Sequence, residues 1–213
     1  MDHRIRWRQR RLEKRRQRLL LAPAGLLLGL VIYFLLRGLG HQTILWVHQG
    51  PTAYTPHFSL GATALYAVWP DGHVEVVRLS DGQLHGKGPL FSRPEPFNAA
   101  PLCGPRTLYV ASDLGVLRAL GSKTGEMIWE YHTEGALRAS PLRDQGQLYV
   151  GGDGGVMACL DLQSGKRRWA TALGAPIAGQ PARVGALLIA ATIAGHVYGL
   201  EATSGVVRWR VAL

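Results

Sequence analysis

The side chains that could ligate a metal, act as nucleophiles or move protons are two cysteines, eight histidines and fourteen carboxylates. Cys103 and Cys159 lie 56 residues apart. The histidines, at 3, 41, 48, 57, 73, 85, 132 and 196, include no pair at a ligand spacing such as His-x-His. Asp113 and Asp153 adjoin turn glycines, where an aspartate is expected to accept backbone N–H bonds rather than do catalysis. No Gly-x-Ser-x-Gly elbow, phosphate loop or nucleotide fingerprint occurs. The run Gly151-Gly152-Asp153-Gly154-Gly155 reads as a hairpin, and Lys166-Arg167-Arg168 as a solvated basic cluster. These residues predict no catalytic centre, metal site or cofactor site, and hence a protein that is not an enzyme. Cys159 is expected as a core thiol and Cys103 as a part-exposed one, not joined as a disulfide.

The elements that would carry these residues begin with a charge asymmetry. The chain has 213 residues and a formal net charge of +10. Residues 1–18 hold nine Lys/Arg against Asp2 and Glu13, whereas residues 38–213 hold fourteen basic and twelve acidic side chains. A nucleic-acid binder would carry its basic patch on the folded body, so no nucleic-acid partner is expected. Residues 19–36 contain no charge, and at a helical rise this run spans roughly 27 Å, close to a bilayer's hydrocarbon core. The basic segment before it predicts a cytoplasmic tail over 1–18 and a signal-anchor helix over 19–37. The remainder is expected outside the inner membrane of a bacterium, in the periplasm. The apolar run is too long for a cleaved signal peptide.

From residue 100 onward the sequence repeats every forty residues. Pro101, Pro141 and Pro181 are forty apart, as are Gly115, Gly155 and Gly195, and as are Trp129, Trp169 and Trp209. A degraded copy precedes them, with Leu65-Tyr66-Ala67-Val68, Asp71-Gly72 and Asp81-Gly82, and with Gly86 where the tryptophan would stand. Ile44-Leu45-Trp46-Val47-His48 reads as one further tryptophan strand, Trp46 lying twenty residues before Tyr66 as Trp129 lies before Tyr149. Each repeat holds short β-rich runs punctuated by Gly and Asp: a strand, its hairpin partner, a tryptophan strand, and a last short strand around the proline. Four short antiparallel strands per forty residues make a propeller blade. The domains predicted are 1–18 tail, 19–37 anchor, 38–61 linker with the first tryptophan strand, and 62–213 propeller repeats.

The run from Ala119 through Thr124-Gly125 to Trp129, repeated at Cys159–Trp169 and Gly199–Trp209, resembles the docking motif of pyrroloquinoline-quinone-type β-propellers. The resemblance implies that Trp129, Trp169 and Trp209 pack against the adjoining blade. By the same resemblance Gly125, Gly165 and Gly205 are the turn glycines of that docking, and Ala119, Cys159 and Gly199 its small residues. The family contains quinone-dependent dehydrogenases and non-catalytic envelope propellers, BamB-like proteins among them. The dehydrogenases use a vicinal cysteine pair, calcium ligands and a catalytic Asp, and the two cysteines here are not vicinal. The expectation is therefore a membrane-anchored, non-catalytic scaffold that binds other envelope proteins, in the manner of outer-membrane protein assembly. A fragment related to a quinone-dependent dehydrogenase is the alternative. About four blades make a partial ring, since an open arc exposes a sheet face at each end; completion by a homodimer or a partner is expected, with closure of the four alone and a truncated product as the alternatives.

Overall fold

An apolar run, a tight turn closed by glycine and a second apolar run form a hairpin four times in the described part of the chain; the turn contains Asp71, Asp113 and Asp153 in the first three, and is Thr192-Ile193-Ala194-Gly195 in the fourth. The computed structural model describes residues 56–89 and 95–213. The predicted tail, the anchor over 19–37 and the strand around Trp46 lie outside the described residues. Among the described residues no helix is long and apolar enough to cross a membrane.

The described residues form four antiparallel four-stranded sheets, each in simple chain order. The first blade comprises β1 (His57–Leu60), β2 (Ala64–Val68), β3 (His73–Arg78) and β4 (Leu84–Pro89). The second comprises β5 (Leu102–Cys103), β6 (Thr107–Ala111), β7 (Val116–Gly121) and β8 (Met127–His132). The third holds β9 (Leu142–Asp144), β10 (Gln147–Gly151), β11 (Val156–Asp161) and β12 (Arg167–Ala172). The fourth holds β13 (Ala182–Val184), β14 (Leu187–Ala191), β15 (His196–Glu201) and β16 (Val207–Ala212).

Two boundaries differ from the sequence expectation. The short strands after Pro101, Pro141 and Pro181 pair with the strands that come next in the chain, so each opens a sheet instead of closing the previous repeat. Residues 57–60, read as linker, are β1 and pair with β2, so the first blade starts before residue 62. Pairing depends on which edge is open. The tryptophan strand takes the outer edge of its own sheet, and the short strand that follows each proline pairs within the next sheet.

Every blade carries the same irregularity. The register of the third and fourth strands slips at Val76/Val77, Ala119/Leu120, Cys159/Leu160 and Gly199/Leu200. A bulge there strengthens the local twist and turns the tryptophan strand. The hairpin glycines hold the opposite end. Gly115 has φ 78°, and a Cβ on it would lie 2.6 Å from the Gly135 carbonyl, so only glycine fits both the turn and the approach of the connecting segment.

Period-2 alternation then gives the second and third sheets one apolar face for each neighbour. In the third blade Leu148, Val150, Ala158 and Leu160 form a core with the second blade's Tyr109, Leu117 and Trp129. On the other face Tyr149, Met157, Cys159 and Trp169 form a core with the fourth blade's Leu188, Tyr198 and Leu200. A third cluster, including Val68, Val74, Phe97, Leu108 and Leu120, joins the first blade to the second. The hydrophobic core therefore lies between blades, and each fully buried large side chain contributes about 1.5–3 kcal/mol to holding neighbours together.

Candidate functional site

The seams between blades are built from the repeated tryptophans. A Cβ placed on Gly165 would lie 2.5 Å from the Trp129 ring, and one on Gly205 would lie 2.5 Å from the Trp169 ring. Both glycines belong to the next blade along the chain, and both have positive φ, 68° and 74°. The indole N–H of Trp129 donates to the Leu162 carbonyl at 3.3 Å and that of Trp169 to the Ala202 carbonyl at 3.0 Å. Tyr109 and Tyr149 tilt against the same rings, centroids 5.8 and 6.0 Å apart. Thr171 Oγ1 adds a 2.7 Å bond to the Gly205 carbonyl.

The small residues occupy a different place from the one the resemblance implies. Ala119, Cys159 and Gly199 are the register partners of Trp129, Trp169 and Trp209 within the same sheet, not contributions of the adjoining blade. Each leaves room for an indole to lie flat across its own strand pair. The glycine comes from the neighbour and the small residue from the tryptophan's own sheet.

Two of the expected docking positions lack a mate among the described residues. Nothing lies within 4 Å of a Cβ built on Gly125, and the register position that would supply its tryptophan is Gly86, opposite Val76. Tyr66 reaches across that seam instead, with its hydroxyl 3.4 Å from the Ser122 carbonyl. At the other end Trp209 is 38% exposed, against 9% for Trp129 and Trp169, and its ring folds over Gly199 of its own sheet. Every residue of β16 is exposed, including Val207, Trp209 and Val211. Ile189 and Val197, the counterparts of the fully buried Tyr149 and Met157, are only half-buried. Arg208 is paired with Glu201, and Arg210 lies 5.9 Å over the Tyr198 ring. The last blade thus presents a seam face of the kind buried elsewhere, with an indole at its centre.

The groups that could do covalent or redox chemistry are dispersed. Cys103 and Cys159 are both free, and burial raises both thiols, Cys159 to about 11. Among the described residues no group of three His, Cys, Asp or Glu could hold a metal. The donor set does not fit a quinone and calcium centre, because the cysteines belong to different blades and Cys159 is buried in the seam with Trp169. The two turn aspartates do something the sequence reading missed. Asp113 accepts from the side chain of Asn98 and Asp153 from that of Arg138, each fifteen residues earlier in the connection between blades. They fasten the connecting segment to the hairpin, in place of the predicted bonds to their own turns. Arg118 was also missed: it binds both oxygens of Glu95, at 2.6 and 2.9 Å, and reaches Glu130. In the basic cluster Arg168 is held by Asp161, whose carboxyl stays well below the usual carboxylate range because of that guanidinium and the Ser164 turn. A cleft of about 370 Å³ beside Trp129, bordered by Tyr109, Arg106 and Arg143, contains no nucleophile–base pair.

The family profile described as "Outer membrane protein assembly factor BamB" matches residues 113–213. The crystal structure of BamB from Moraxella catarrhalis is similar with a TM-score of 0.67 and 16% identity, over 80% of this chain and 55% of that one. The fold is that of a BamB-like β-propeller. The computationally designed Ika8 protein matches with a TM-score of 0.71 and 12% identity, over 80% of this chain and 52% of that one. The computationally designed Ika4 protein matches with a TM-score of 0.62 and 11% identity, over 70% of this chain and 92% of that one. The chain spans about half the length of the BamB and Ika8 structures. No curated protein matches the sequence.

Proposed function

We propose that this chain is a membrane-anchored, non-catalytic propeller scaffold, held by residues 19–37 in the bacterial inner membrane with the blades in the periplasm. It binds other envelope proteins, and its clients belong to outer-membrane protein assembly. The observation that carries the reading is the profile match, and beside it stands the exposed indole of Trp209. Among the described residues Trp129 and Trp169 are 9% exposed and Trp209 38%, an apolar surface that a client can cover. The profile match over residues 113–213 supports the client class, since that profile is described by outer-membrane assembly. A propeller can bind a partner through a rim of loops or through an exposed strand edge, neither of which needs a catalytic group.

A photo-crosslinking amino acid placed at Val211 in the full chain, in its native membrane, tests this. Products containing outer-membrane assembly proteins, abolished by Trp209→Asp, are the expected result. Products with cytoplasmic proteins, or a pattern indifferent to Trp209→Asp, would sink the proposal. The mass of the full chain in detergent separates a client from a second copy as the completing partner.

A further inference from the structure

The seam between the second and third blades and the seam between the third and fourth share one plan, but their charges differ at one edge. In the later seam Arg183 of β13 reaches back to Asp144 of β9 at 2.9 Å and to the Tyr149 hydroxyl at 3.0 Å. Arg168 is held by Asp161 of the same sheet. Two carboxylates therefore meet two guanidiniums there, and the edge is neutral. A shift of forty residues gives the earlier seam. Arg183 becomes Arg143, Asp144 becomes Gly104, Asp161 becomes Gly121 and Arg168 becomes Ile128. Gly146 becomes Arg106. The earlier edge keeps one arginine from the incoming blade, gains another and loses both carboxylates.

The geometry follows this exchange. Arg143 and Arg183 hold the same register, opposite Leu148 and Leu188, so each lies on the face that meets the preceding blade. A Cβ built on Gly104 would lie 3.0 Å from Arg143 Nη1, so the guanidinium stands beside the place of the missing carboxylate. Arg183 is half-buried in its ion pair, whereas Arg143 is exposed. Among the described residues no carboxylate pairs with Arg106 or Arg143. Both arginines border the cleft of about 370 Å³, whose apolar wall is Trp129, Ile128 and Leu162 and whose lining contains no acid. Its volume is in the range of small-ligand sites.

We propose that this cleft binds a carboxylate carried on an apolar body, the carboxylate on Arg106 and Arg143 and the body against Trp129, Ile128 and Leu162. A guanidinium fork matches a carboxylate in two parallel bonds, and at this seam no side chain of the protein makes them. The bound anion takes the role that Asp144 fills in the next seam. A free aromatic acid and an aspartate beside an aromatic residue of a client present the same chemistry. The site is separate from Trp209 and stands whether or not the clients belong to outer-membrane assembly.

Indole N–H resonances of the isotope-labelled full chain, in a detergent with neutral headgroups, test it. Trp129 is the reporter, because its N–H is bonded to the Leu162 carbonyl at the cleft wall. Phenylacetate is expected to shift that resonance saturably, and phenylacetamide, which has the same shape and no charge, to bind more weakly by about tenfold or more. Arg143→Gln and Arg106→Gln should each weaken phenylacetate by about tenfold. Gly104→Asp supplies the carboxylate from within and should abolish binding without lowering the melting temperature. The backbone at Gly104 is not left-handed, and the atom nearest the new Cβ is the end of the flexible Arg143 side chain. Acetyl-Phe-Asp-amide in the same titration separates the sources. Tighter binding than phenylacetate names a client's side chain, and weaker binding names a free acid. A Trp129 resonance that neither probe moves overturns the proposal. Equal binding of phenylacetate and phenylacetamide does so too, and so does an Arg143→Gln variant that binds as well as the unaltered chain. Should Gly104→Asp fail to fold, the two variants of exposed arginines still decide the matter.

Discussion

At the scale of single residues, the same amino acid has two fates, set by whether another blade packs over it. Trp129 and Trp169 are nearly covered, and each is fixed by an N–H bond to a carbonyl of the next blade. Truncating either to alanine is expected to cost about 3–5 kcal/mol, through lost apolar burial and a cavity at the seam. Trp209→Ala should cost much less than either, since its ring is more than a third exposed and touches its own sheet. Urea unfolding of the three variants checks the order, and equal losses would contradict a free fourth face. The tryptophan and glycine positions could be read directly from the forty-residue period. Which blade supplies the small residue could not, because Ala119 and Gly165 are equally spaced markers until the register is known. Cys159 gives a second test at this scale. Burial raises its thiol from 9.0 to about 11, so between those values the folded chain keeps a proton that the unfolded chain has released. Stability then falls as pH rises through this window. Cys159→Ala should fold, since alanine and glycine fill the equivalent places at 119 and 199, and it should flatten the decline between pH 9 and 10. Melting temperatures across that interval for both proteins decide it.

At the scale of elements, strand type and order can be read from the alternating apolar pattern, whereas the connections between sheets cannot. The short proline strands contain only two or three residues, too few to show a period, so their sheet membership depended on finding their partners. The ties that hold the connections are also invisible to pattern. Glu95 and Arg118 are 23 residues apart, and nothing in their types marks them as a pair until the second blade folds against its incoming segment. Their bidentate bond is mostly shielded, with the Arg118 and Glu95 side chains 11% and 12% exposed. Arg118→Lys keeps the charge but loses the fork, and is expected to destabilise the chain by about 1–2 kcal/mol, less than Arg118→Ala. Denaturant midpoints for the two variants measure the difference, and a neutral Arg118→Lys would show that the charge alone suffices.

At the scale of the whole molecule, a core divided among seams makes stability a sum over neighbours, as in other repeat proteins. The second and third blades each have two buried faces, and the fourth has one. Opening β16 exposes little that is not already in water, since all six of its residues are exposed. Opening β12 breaks the Trp169 seam and the Thr171 bond with it. Native-state hydrogen exchange should therefore find β16 the least protected of the tryptophan strands and β12 among the most, with β8 alongside it. The same gradient bears on binding. A partner that covers Trp209 gives the fourth blade its second neighbour, so its arrival should raise the protection of β16 toward that of β12 and leave β10 unchanged. Were β16 as slow to exchange as β12 in the isolated chain, its face would already be covered, and the open end required for a client would not exist.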